Sequence, residues 1–101
     1  MVYYIPDHVK AFDRGDGGVV LVEWKGQHAR ETHIEPDGCV TLSEASRIVQ
    51  PPVSRVAVHR WIEAGKLEAD MVEGKYLIEL TALRRFANKE GKAWAPPYPK
   101  P

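Results

Sequence analysis

The spacing of apolar residues changes character at Thr41, and that change divides the chain. Before it, Val19-Val20-Leu21-Val22-Glu23-Trp24 is a β-branched run that predicts a strand, entered from the turn cluster Gly15-Asp16-Gly17-Gly18. Val2-Tyr3-Tyr4-Ile5 is the expected partner strand, ended by Pro6. From Gln27 to Gly38 the pattern is polar and without period, closing on the turn Glu35-Pro36-Asp37-Gly38.

From Thr41 the period is helical. Thr41 and Glu44 have the spacing of a capping box, and Leu42, Ala45, Ile48 and Val49 then fall on one face. Pro51-Pro52 stops this helix, because proline lacks the donor and clashes with the preceding turn. Ser54 caps a second helix, with Val58, Trp61 and Ile62 inward and Arg55, Val56, His59, Arg60 and Glu63 outward. Gly65 is placed to end it in a left-handed conformation. Leu67, Ala69 and Met71 then alternate with Glu68, Asp70 and Val72, and Glu73-Gly74 turns the chain into Lys75–Glu79, where Tyr76 and Ile78 share a face. Thr81 is positioned to cap a third helix carrying Leu83, Phe86 and Ala87 inward and Arg84 and Arg85 outward. Alternating strand and helix periods make the expected class α+β. Three parts follow: a β-rich extension over 1–38, a helix–turn–helix with a hairpin and short third helix over 39–93, and an extended proline-rich tail over 94–101.

Two stretches carry a family resemblance. S-R-V-A-V-H-R-W-I-E-A-G-K-L, from Ser54 to Leu67, combines a serine cap, an Arg60-Trp61 pair and a Gly65-Lys66-Leu67 exit. E-G-K-Y-L-I-E-L-T-A-L, from Glu73 to Leu83, follows it. Together they resemble the second helix, wing and following helix of excisionase-like and MerR-like winged helix-turn-helix DNA-binding domains, over residues 40–90. MerR-like proteins continue into a long dimerising helix, so the small excisionase-like type is the better match.

The resemblance implies double-stranded DNA as partner, in transcription or in recombination. The second helix would enter the major groove, with the wing beside the flanking backbone. Arg55 and Arg60 suit bidentate contact with guanine or a hold on phosphate, and His59 adds a donor whose charge depends on pH. Val56 shares their exposed face. Thr41, Ser43 and Ser54 at the helix starts, Lys66 at the exit, Lys75 in the wing and Arg84 on the third helix complete the expected contacts.

Composition narrows the alternatives. A chain of 101 residues, 44% hydrophobic with three Trp, is expected to form one small domain. No apolar run has membrane-spanning length and no leader opens the chain, so a cytoplasmic protein without membrane contact is expected. The single Cys39 fits a reducing compartment. Net charge is zero, which argues against indiscriminate polyanion binding. Residues 1–40 hold Lys10, Arg14, Lys25 and Arg30 against seven carboxylates, whereas residues 41–93 hold nine basic groups against seven acidic ones.

Other chemistry finds little to rest on. His8, His28, His33 and Cys39 match no common zinc spacing, and no cofactor is expected. Arg14-Gly15-Asp16 reads as a turn, not as an adhesion tripeptide. Without a phosphate loop or nucleophile elbow, an enzyme is not expected. Pro96-Pro97-Tyr98-Pro99 could enter an aromatic groove on a partner, although such termini are more often unstructured. The wing carries Glu68, Asp70, Glu73 and Glu79, whereas DNA-facing wings are usually basic. The alternative is accordingly a protein-interaction adaptor on the same scaffold. Because one helix and wing bury little surface, a homodimer is expected, joined through the N-terminal strands around Val19–Trp24.

Overall fold

Strand pairing in the first half departs from the periodicity. In the computed structural model, which describes residues 9–99, β1 (Val9–Asp13), β2 (Val19–Lys25) and β3 (His28–Ile34) form an antiparallel meander in the order β1-β2-β3. The expected partner Val2–Ile5 lies outside the described residues. The stretch read as aperiodic is a full strand, with Leu21 opposite Thr32 and Glu23 opposite Arg30. All of β3 except Ile34 is exposed, so it carries no apolar alternation; charged side chains along such an edge discourage further pairing. Gly26-Gln27 makes the two-residue turn, with positive φ (62°) at Gly26 alone, as a type II′ turn requires. Gly18 is needed for space: a Cβ there would lie 2.5 Å from the Ile34 carbonyl oxygen.

The second half follows its signals closely. The Thr41 hydroxyl accepts from the Glu44 N–H at 3.3 Å while the Glu44 carboxylate accepts from the Thr41 N–H at 2.8 Å, starting α1 (Leu42–Ile48). Ser54 Oγ accepts from the Ala57 N–H at 3.1 Å and starts α2 (Arg55–Glu63). Each such cap contributes about 1 kcal/mol. Gly65, at φ 76°, ends α2: its N–H donates to the Ile62 carbonyl and the Lys66 N–H to the Trp61 carbonyl, a Schellman motif.

The second sheet has the order β4-β6-β5, in which β4 (Cys39–Val40) and β5 (Asp70–Val72) flank β6 (Lys75–Glu79). Helix α3 (Leu80–Lys89) leaves β6 without a connecting residue. Thr81 therefore lies within its first turn instead of capping it. Glu79 holds the cap position with no side-chain hydrogen bond, and the Leu80 N–H donates to the Gly38 carbonyl at 3.0 Å.

These elements make a small α+β domain of three helices and two antiparallel sheets. One core passes through the boundary expected at residue 38: Ala11, Leu21 and Ile34 from the meander pack in the same cluster as Ile48, Val58, Ile78, Leu83 and Phe86. Val20 and Val22, on the other face of β2, are buried too. Over that face runs the tail, which is tied down where it was expected to be loose. The Asp13 N–H donates to the Pro96 carbonyl at 2.7 Å, and the Tyr98 N–H to the Asp13 carbonyl at 2.9 Å. The Tyr98 ring lies 5.6 Å from Phe12, and its hydroxyl donates to Glu31 on β3. Among the described residues, no helix is long and apolar enough to cross a membrane.

Candidate nucleic-acid interface

Helix α2 buries Val58 completely and half-buries Trp61 and Ile62, which turns Arg55, Val56, His59, Arg60 and Glu63 outward. The β5–β6 hairpin stands beside this face. Its turn has positive φ at both Glu73 (49°) and Gly74 (79°), the type I′ geometry that matches strand twist. Register then sorts the side chains. Met71 opposite Tyr76 points to one face of the hairpin, and Asp70 opposite Leu77 to the other.

Tyr76 fastens hairpin to helix. Its hydroxyl donates to Glu63 Oε2 at 3.1 Å, and its ring lies 5.5 Å from the His59 imidazole. His59 Nε2 is 3.7 Å from the same Glu63 oxygen. The hydrogen bond to the Glu63 carboxylate pushes the Tyr76 phenol above its ordinary range.

Between the start of α1, the outer side of α2 and the hairpin lies a cleft of about 460 Å³. Five residues expected from sequence to touch DNA line it: Thr41, Ser43, Arg55, His59 and Lys75. Leu42, Met71 and Tyr76 complete most of the wall, and no carboxylate is among its lining residues. Glu73 is exposed in the turn next to Gly74, and the hairpin's other three acidic residues lie elsewhere. Glu68, Asp70 and Glu79 border a separate groove with Leu77 and Ala82. Three of the four acidic residues read from the composition of the hairpin are thus gathered at one groove.

The remaining expected contacts divide. Val56 and Arg60 are exposed on α2 beside the cleft. Ser54 and Thr41 are engaged as caps, yet each hydroxyl accepts in that role and keeps its own proton to donate. Lys66 lies beyond the end of α2 and lines another groove with Arg85 and Lys89. Arg84 is not brought to the cleft. Its guanidinium stacks 4.6 Å from the Trp94 ring centroid and lies 3.9 Å from Asp13, at the junction of α3, the tail and β1. It is half-buried, unlike the outward position expected, and it sits mid-helix instead of in the first turn.

Tyr76 was legible as core through its alternation with Ile78, but that pattern cannot show a half-buried ring closing a cleft. Met71, 57% exposed, had no sequence signal beyond its place in the alternation. Among the described residues no group of His, Cys, Asp or Glu is arranged to hold a metal ion. His33 lies 3.0 Å from Glu31, Cys39 is an exposed free thiol, and His8 lies outside the described residues. Against known proteins, no family model, no curated protein and no solved structure matches the chain.

Proposed function

We propose that the chain is a small winged helix-turn-helix DNA-binding protein, excisionase-like or a compact transcriptional regulator, with α2 in the major groove and β5–β6 as its wing. The observation that carries this reading is the cleft in which Arg55, His59 and Lys75 converge with the Thr41 and Ser43 hydroxyls, while the Glu63 carboxylate beside it is engaged by Tyr76 and His59. Cations and hydroxyls gathered at a helix and an adjoining hairpin suit a phosphate-lined groove. Arg55 and Arg60 reach guanine edges or phosphate, and Val56 offers an apolar side to a thymine methyl. Thr41, Ser43, Ser54 and Lys75 hold the backbone on either side.

A second reading, a protein-interaction adaptor, draws on exposed apolar residues on α2 and the hairpin. Val56 and Met71 are each 57% exposed and Val72 is 43% exposed.

Fluorescence anisotropy with duplex DNA across a salt series separates the two. The wild type binds with steep salt dependence, and Arg55→Ala/Arg60→Ala weakens binding by at least about tenfold. For every phosphate that the variant no longer neutralises, the logarithmic salt slope also flattens by about 0.9. Absence of binding at low salt would sink the DNA reading and leave the adaptor.

A further inference from the structure

Behind the hairpin, two adjoining grooves carry opposite charge. One is rimmed by Glu68, Asp70 and Glu79 over a floor that includes the half-buried Ile62 and Leu77. The other is lined by Lys66, Arg85 and Lys89, and the two share Gly65, Glu68 and Ala82. The local structure explains the sorting. Glu68 and Asp70 are two apart on the segment entering β5, and Glu79 stands two beyond Leu77, the residue opposite Asp70. Arg85 and Lys89 are one turn apart on α3, and the left-handed Gly65 delivers Lys66 beside them. Among the described residues, none of these six side chains takes part in an ion pair.

We infer that this double groove is a self-association face, on which Lys66, Arg85 and Lys89 of one copy meet Glu68, Asp70 and Glu79 of a second. A two-fold contact requires a patch to be complementary to itself, with each half meeting the other half of its partner. Three cations beside three anions meet the charge requirement of such a contact, on a chain whose net charge is zero. Ile62 and Leu77 supply an apolar centre within a charged rim, the usual anatomy of an interface.

The meander offers less to a second copy. Of the Val19–Trp24 run that suggested self-association, Val19 to Val22 are buried within their own chain and Trp24 is 38% exposed, and β1 is already bridged to Pro97 at Asp13. The proposed face leaves the outward side of α2 from Arg55 to Arg60 uncovered, and it holds whether α2 meets DNA or protein.

Sedimentation equilibrium on the full chain tests the pairing. At about 50 mM salt, where charges within some 14 Å still interact, the wild type is expected to approach twice the chain mass. Raising the salt returns it to the monomer. K66E/R85E/K89E and E68K/D70K/E79K are each expected to be monomeric, because each presents a face of a single sign. Mixed in equal amounts, they pair one to one, which also shows that both are folded. If either triple variant loses its helical dichroism, R85E and D70K are mixed instead, with the same expectation. A wild type that stays monomeric at low salt would overturn the inference. So would a charge-reversed variant that self-associates like wild type, or folded variants that do not pair when mixed.

Discussion

In the half built from α1, α2 and α3, each helix turns one face inward, and the first two are fixed at their starts by Thr41 and Ser54. In the meander, β2 is buried on both faces, and its neighbours β1 and β3 pair with it while adding only Ala11 and Ile34 to the buried core. The two halves nevertheless share one core. The contrast teaches that local signals record elements stabilised at their own ends. A strand whose partners are chosen by tertiary packing leaves little trace in its own residues.

The sharpest way to break that comparison is to empty the core from each side. Leu21→Ala in the meander and Ile48→Ala in α1 are each expected to cost about 2–5 kcal/mol. Because both residues belong to one cluster, each variant should lower a single cooperative urea transition seen alike by fluorescence and helical dichroism. A Leu21→Ala protein whose β2 amides exchange with solvent early while the helical signal is unmoved would show two independent halves. A smaller effect is expected of Gly18→Ala, whose new methyl would press on the Ile34 carbonyl 2.5 Å away. Thermal unfolding should report a loss of about 1–3 kcal/mol, and an unchanged midpoint would mean that the β2–β3 contact yields without cost.

The smallest effect concerns the tail and depends on pH. The Tyr98 hydroxyl, followed by His33, holds the Glu31 carboxyl below the usual carboxylate range. The same hydrogen bond pushes the Tyr98 phenol above its ordinary value. A lowered Glu31 contributes stability above its unfolded pKa and loses it as pH falls through the folded one. A raised Tyr98 contributes below its unfolded pKa and loses it as pH rises through the folded one. Tyr98→Phe should therefore melt slightly below wild type near neutrality and converge with it at both extremes. A difference that stays constant across the range would mean that ring packing on Phe12, not the hydrogen bond, anchors the tail.

Much of the second half was legible because its chemistry is short-range. A capping box, a serine cap, a left-handed glycine and a two-residue turn each act within a few residues, and Glu44, Ser54, Gly65 and Gly74 take the conformations their types favour, while the turn holds Glu73 at a positive φ that glutamate rarely adopts. The start of α3 was misplaced because Leu80 is held by the distant Gly38 carbonyl and not by Thr41-like capping at Thr81. β3 escaped notice for want of any buried side chain before Ile34. Of the candidate site, Arg55, His59 and Lys75 were readable as exposed polar side chains. Their convergence, the engagement of Arg84 by Trp94, and the placing of Glu68, Asp70 and Glu79 at a different groove depend on strand register and on long-range packing.

The tail also has a topological consequence. Asp13 and Pro97 are bridged side by side, so the path of the chain between them is a closed ring with its seam over the meander. A ring tolerates relocation of its opening. Joined across that seam and cut instead at the exposed Gly26-Gln27 turn, the polypeptide would begin at β3 and finish at β2, and of the buried core cluster only Ala11, which precedes the ring, would be left out.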